Sequence, residues 1–399
     1  MPTYVIWIGF IFSLAIMILV ARKNLWLGFI VGALILGLIN LQPSLMASEI
    51  KNTLIDPSIL LLGIAVGIIP LIGGVLEQSG LMDGLFRNLR LKRKLFLIFG
   101  PAFLGMLPMP GGALLSAPLV LRAGEDISDQ QYTAINVWFR HALILIYPLG
   151  ALLVTSKMAD LYLYKALLYL IPGFIIMIIL GWVFLLRGIK GNLPSQEHID
   201  YKELLTPIGI IITAPIIHLI LMSLFPNIQS EIPLIIGVFC SLMLGLFLGK
   251  LKVNDIIIIS KKMKPWKYFL IIIGMFLFLN IFLASNISRI IAAIAFSKSF
   301  TIVIIAAFLG LVTGRVQMPF AIALPIFYSR FGTDAMSYLV FAVMFFSTYM
   351  GYIISPIHPC VSVSLEFFGS NLKEFYRKLL VPTSISLVVA FVIAFFFIK

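Results

Sequence analysis

Ten stretches of this chain run apolar for about 20 residues each, the length a helix needs to cross the roughly 30 Å hydrocarbon core of a bilayer. They lie near 4–20, 25–41, 59–76, 134–155 and 164–186, and again near 206–225, 232–249, 266–284, 335–354 and 379–398. Hydrophobic residues make up 61% of the 399, charged residues only 11%, and the mean hydropathy is +1.11. That leaves too little polar surface to coat a soluble globule. The sequence predicts an all-α polytopic membrane protein.

The net charge of +13 sits in short basic runs between apolar stretches, such as Arg87, Arg90, Lys92, Arg93 and Lys94. Runs of this kind orient helices in a bilayer. No basic soluble domain exists to grip nucleic acid. The two cysteines, Cys240 and Cys360, lie inside apolar segments, so their spacing implies neither a disulfide framework nor a zinc set. Arg22 and Lys23 follow the first apolar stretch, the wrong polarity for a cleaved signal peptide, and the stretch reads as a retained span.

Two further apolar stretches fit badly as single helices. The one at about 95–122 carries Pro101, Pro108, Pro110, Gly111, Gly112 and Pro118; the one at about 299–330 carries Gly314, Arg315, Pro319 and Pro325. Dense prolines remove backbone donors and break helices, and irregular backbone survives at membrane depth only where protein or a water-filled cavity covers it. Both are expected to be re-entrant hairpins.

The two sets of spans form one pattern repeated at a displacement of roughly 208 residues. Met109-Pro110 in the first hairpin matches Met318-Pro319 in the second, and Tyr147-Pro148 aligns with Ser355-Pro356. The expected organisation is a first repeat at 1–186, a cytoplasmic connector at 187–205 and a second repeat at 206–399. Each repeat holds five crossings and one hairpin, and an odd number of crossings inverts the second repeat. With the N- and C-termini outside, 20 Lys and Arg fall in cytoplasmic segments and 7 outside, with Arg140 and Arg315 left in the membrane. That asymmetry satisfies the positive-inside rule.

Inverted repeats with broken helices and paired hairpins are an architecture of secondary transporters, whose sites lie where the repeats meet. Pro110, Gly111, Gly112 and Ala113 open the returning arm of the first hairpin, where the backbone can approach a ligand closely; the alternative is a tight turn packed against protein. Arg315 and Gln317 occupy the second tip. Arg315 reads either as a clamp on a carboxylate or other oxyanion, or as a brace for hairpin carbonyls. Arg140 and His141 fall inside a span, where Arg140 either binds an anion or reaches back to the interface. His358, between two prolines beside Ser355, reads as proton carrier, neutral donor or brace of the kink. Lone His218 reads as core packing and His198 as solvated. Gly111, Ser116 and Ser355 are candidate Na+ ligands.

No Asp or Glu falls inside any predicted span; Glu77, Asp160 and Glu366 are at ends. Basic groups without acids point to anionic cargo. No Walker loop, His-Glu-x-x-His or Gly-x-Ser-x-Gly is present, so neither ATP drive nor those hydrolytic chemistries are encoded, and the chain is not expected to be an enzyme. Glu77–Lys94 reads as an amphipathic interfacial helix.

Two inverted halves with Pro/Gly-rich tips and a Ser-Pro break near 355 resemble the ion transporter superfamily, which includes gluconate, citrate and C4-dicarboxylate permeases. The texture is most similar to a prokaryotic membrane family, domain of unknown function 401. The resemblance implies a homodimer with a scaffold and a moving part, elevator motion, and a site built from Pro108–Ala113, Tyr147–Gly150, Arg315–Pro319 and Ser355–Cys360. The Ser-Asn-Thr signature of the dicarboxylate/sodium branch is absent from both tips. The expected function is transport of a small organic anion coupled to Na+ or H+ across a prokaryotic inner membrane. The alternatives are a cation/proton antiporter on the same scaffold and a membrane-embedded enzyme handling lipid phosphates.

The topology makes a direct prediction. In intact cells expressing a Cys240→Ser/Cys360→Ser background, a membrane-impermeant thiol reagent should label Lys51→Cys and leave Lys261→Cys unlabelled until the membrane is broken.

Overall fold

A computed structural model describes residues 3–88, 91–106, 112–123, 127–191 and 200–398. The described residues are helical with no strand. The first half contains α1 (Thr3–Lys23), α2 (Leu25–Asn40), α3 (Pro43–Ile55), α4 (Pro57–Gln78), α5 (Leu81–Asn88) and α6 (Arg93–Gly105). It continues through α7 (Gly112–Leu121), α8 (Asp129–Arg140), α9 (Ala151–Met158) and α10 (Leu163–Leu185). The second half opens with α11 (Tyr201–Leu224), α12 (Glu231–Leu248), α13 (Val253–Met263), α14 (Pro265–Ala284) and α15 (Asn286–Ala292). It ends with α16 (Ala306–Thr313), α17 (Gln317–Phe331), α18 (Tyr338–Ile353), α19 (Pro359–Phe367) and α20 (Leu372–Phe397).

Seven of these helices are long and apolar enough to cross a membrane, or eight if the bent pair of α8 (with the turn after it) and α9 is one span. They mark a multi-pass membrane protein. Their exposed faces are apolar where a soluble protein would be polar: Leu38, Phe247, Phe396 and Phe397 are among the most exposed side chains. Lipid-facing side chains need no polar cover, whereas backbone groups must still be paired inside the helices.

The helices gather into two bundles. In one, α1 packs on α2, α11 on α12, and α4 and α14 cross at the centre against α12 and α2. In the other, α8 and α18 form the centre, with α6 and α7 on α8, α16 on α18, and α10 and α20 outside. The bundles meet chiefly where α14 packs on α17 and α1 on α15, while α5 packs on α11 and α4 of the first bundle. Ser13 on α1 donates to the Gly32 carbonyl of α2 (2.7 Å), and Ser241 on α12 donates to that of Ile210 on α11 (2.6 Å). Each hydroxyl ties a helix pair without leaving a polar atom unpaired.

Close backbone approach sets the centre of the second bundle. A Cβ on Gly351 of α18 would collide with the Ala307 carbonyl of α16, and one on Gly310 of α16 would collide with that of Thr348. Gly105 at the end of α6 meets the Arg140 carbonyl of α8 in the same way.

The structure corrects two expectations. Glu77–Lys94 is not one interfacial helix: α4 extends through Gln78, α5 is separate, and Arg93 is buried at the start of α6. Arg93 donates to the Ala123 carbonyl at 2.5 Å and to that of Lys190, fixing connecting segments rather than lying on a charged surface. An acid does enter the core. Glu231, the first residue of α12, is 1% exposed and bonds Lys157 of α9 at 2.5 Å and the Ser58 hydroxyl of α4 at 2.7 Å. It sits one residue outside the apolar stretch, so hydropathy places it at a surface, whereas the fold covers it. Helix α3, half of whose residues are polar or charged, was not among the expected spans. His218 is core as expected, with Nδ1 3.0 Å from the Tyr164 hydroxyl; His198 lies outside the described residues.

Replacing Gly351 by Leu should separate α16 from α18. The overpacking should cost about 1–3 kcal/mol and lower the thermal unfolding midpoint of the purified protein in detergent.

Candidate functional site

Three helices of the second bundle break or begin at one place. Helix α8 stops at Arg140; a tight turn, a 3-10 segment at Leu143–Ile146 and the Tyr147-Pro148 bend follow before α9 restarts at Ala151, inclined by 46°. Pro148 has no N–H to continue a helical ladder. Helix α18 stops at Ile353, and Pro356 and Pro359 bracket the chain until α19 begins. Between α16 and α17 the chain reverses at Gly314, which has φ of +60° and sits against the second break. A Cβ there would lie 2.9 Å from Ile357 and 3.0 Å from the His358 nitrogen, so both conformation and space require glycine.

These breaks wall a cavity of about 610 Å³ at the border between the bundles, with α4 and α14 on the opposite side. Arg140, His141, Arg315, Gln317, Tyr352 and His358 all line it. So do the first residues of α9, α17 and α19, and a helix start carries a partial positive charge. No Asp or Glu lines it among the described residues. Arg140 donates to the Ser116 hydroxyl at 3.3 Å. Arg315, half-buried at the turn between α16 and α17, makes no hydrogen bond or ion pair through its guanidinium among the described residues.

Aromatic side chains hold the histidines. Phe341, Phe345 and Tyr349 stack along α18 with centroids 5.8 and 6.0 Å apart, and Tyr352 follows one turn on. The Tyr349 hydroxyl donates to the His141 carbonyl (2.7 Å), which also accepts from the Leu145 N–H (3.3 Å). The His141 ring places Nδ1 2.5 Å from the Val137 carbonyl and Nε2 3.1 Å from the Tyr352 hydroxyl. A carbonyl can only accept, so Nδ1 carries the proton and Nε2 the lone pair. The His358 ring lies 4.1 Å from Tyr352 and 4.7 Å from His141, centroid to centroid. It is 2% exposed, and its Nδ1 has no hydrogen-bond partner among the described residues.

A family model described as "Protein of unknown function (DUF401)" matches residues 7–398, nearly the whole chain. The chain belongs to this family. No curated protein matches it.

Of the residues singled out in this DUF401 sequence, the fold gathers Arg140, His141, Arg315, Gln317 and His358 around one cavity. Ser355 is not on its wall: it is buried and donates to the Leu311 carbonyl at 2.6 Å, bracing α16 against the break. Ser116 stands behind Arg140. Pro110 and Gly111 lie outside the described residues, and Gly112 and Ala113 open α7. Sequence reasoning missed Tyr268 of α14, which lines the cavity, and Tyr349 and Tyr352 of α18. A helix-period reading of α18 would have found the last two, since three residues apart on a helix share a face. The expected site segment Ser355–Cys360 includes Cys360, but nothing in the spacing signals that it and His358 meet His141 of the other half.

Tyr349→Phe keeps the ring but removes one of the two donors to the His141 carbonyl. It should cost about 0.5–1.5 kcal/mol, read as a lower thermal unfolding midpoint than the parent's.

Proposed function

We propose that this protein is a secondary active transporter that carries a small organic anion, a carboxylate, across a prokaryotic inner membrane, driven by Na+ or H+. The observation that carries the reading is the guanidinium of Arg315 on the cavity wall, which has no hydrogen-bond or ion-pair partner among the described residues. On insertion scales a cation within a span costs about 2.5–3.5 kcal/mol, so it is normally retained with a partner or a purpose. With no carboxylate on the wall among the described residues, the partner is an anion that arrives from solution. Arg140 and three helix starts add to the same field.

The packing supports two inverted repeats, 1–186 and 206–399, joined by the connector at 187–205. The contacts α1 with α2, α6 with α8, α10 with α18 and α7 with α19 recur as α11 with α12, α16 with α18, α20 with α8 and α17 with α9. Helices α6–α7 and α16–α17 take the place of the two hairpins. Alternating access then follows from displacement of the bundle holding the breaks against the bundle of α1–α4 and α11–α14, because the cavity lies on their border. The scaffold bundle is the part through which a homodimer would form, and both termini lie outside. Of the candidate Na+ oxygens, Ser116 already accepts from Arg140, whereas the Ser355 hydroxyl only donates and keeps its lone pairs, so Na+ and H+ both stand as coupling ions.

The test is a thermal-shift screen of the purified protein in detergent against small carboxylates and other oxyanions, with Na+ or K+ at two pH values. A bound ligand must raise the native state's apparent stability. The expected result is a carboxylate shift in the parent and affinity weaker by roughly tenfold or more in Arg315→Ala, the loss of a charge-assisted hydrogen bond. The same carboxylate should enter liposomes only with an ion gradient. Equal binding and flux in Arg315→Ala would overturn the assignment.

A further inference from the structure

Beside the guanidinium groups the cavity holds chemistry that anion binding does not use. His141, His358 and Cys360 each place a ligand atom within 4.8 Å of the other two. We propose that these three side chains form a site for a tetrahedral first-row transition-metal ion of the Zn2+ class. All three line the cavity.

Three observations converge on this assignment. His141 has its Nδ1 proton on the Val137 carbonyl, which leaves Nε2 as a lone pair of fixed direction; a metal-ligating histidine is commonly oriented by such a carbonyl behind it. His358 is buried with Nδ1 unpartnered among the described residues, a nitrogen that water or protein would ordinarily satisfy. Cys360 is a soft thiol two residues away at the start of α19, on the same wall. Two imidazoles and a thiolate suit zinc, cobalt or copper, whereas Mg2+ and Ca2+ demand oxygen ligands.

The geometry fits. Zinc–nitrogen and zinc–sulfur bonds of about 2.0–2.3 Å put tetrahedral ligands about 3.3–3.6 Å apart. The observed spacing closes to that through side-chain rotations of the order of 1 Å. Binding takes the proton from Cys360 and releases it to water, and Tyr352 gives up its contact with His141 Nε2. Three protein ligands leave a fourth position open, as in sites where zinc binds water or substrate. One thiolate leaves a divalent ion at net +1 beside Arg140 and Arg315, so an anion is the favoured fourth ligand. The site does not depend on the transport reading: metal binding is read on the protein alone and stands whether or not an anion is carried.

The experiment titrates Co2+ into the chelator-treated full-length protein in detergent. The expected result is one ion per chain with a thiolate-to-cobalt charge-transfer band and the visible bands of tetrahedral Co2+, both bleached by added Zn2+. Cys360→Ser should abolish the charge-transfer band, and Cys240→Ser should retain it. His141→Ala and His358→Ala should each weaken binding by roughly tenfold or more, and metal-free unfolding curves would verify that the variants fold. Absence of the band in the parent, or its persistence in Cys360→Ser, would sink the proposal.

Discussion

A helix that stops inside an apolar layer strands carbonyls and N–H groups that no water is at hand to satisfy. This protein stops helices repeatedly within one bundle, and the rest of its centre is arranged to answer that. Tyr349 reaches across from α18 to take the His141 carbonyl, and Ser355 reaches back to that of Leu311. Gly314 lets the reversal between α16 and α17 lie against the break before α19. The first break is thus tied to the opposite half of the chain through Tyr349, whereas the second is braced from within its own half by Ser355 and Gly314. The starts of α9, α17 and α19 face the cavity.

Much of this was legible because hydropathy reports lipid contact directly. The ends of α1, α10, α11, α12 and α14 lie within a few residues of the expected spans, and the proline clusters correctly marked irregular backbone at 141–150 and 354–358. Arg315 and His358 stood out since polar groups are conspicuous in apolar text. What stayed hidden depends on pairing between halves. Cys360 looks like an ordinary apolar residue until α19 carries it next to His141, and Glu231 looks like a loop acid until Lys157 and Ser58 close over it. Ser355 shows the converse, for a hydroxyl beside a break is as useful to a neighbouring carbonyl as to a ligand.

The cavity brings together two kinds of chemistry. The guanidinium groups and helix starts form a broad positive field, which favours negative charge without fixing its shape. The His141–Tyr352–His358 group is compact and held by stacked aromatic rings, so its atoms are placed more narrowly. A field that attracts and a cluster that positions are complementary demands on one wall, and each draws on both halves of the chain.

The pair formed by Lys157 and Glu231 ties the two bundles together away from the cavity, since Lys157 ends α9 and Glu231 starts α12 beside α4. If one bundle slides along the other by a helical turn, about 5.4 Å, this contact must open and leave a carboxylate short of its counter-charge. Under the alternating access proposed above, the pair would serve as a detent, a notch that holds the molecule at one end of that travel. Motion past it would occur in a discrete click, with the energy of re-solvating Glu231 setting how long the molecule dwells there.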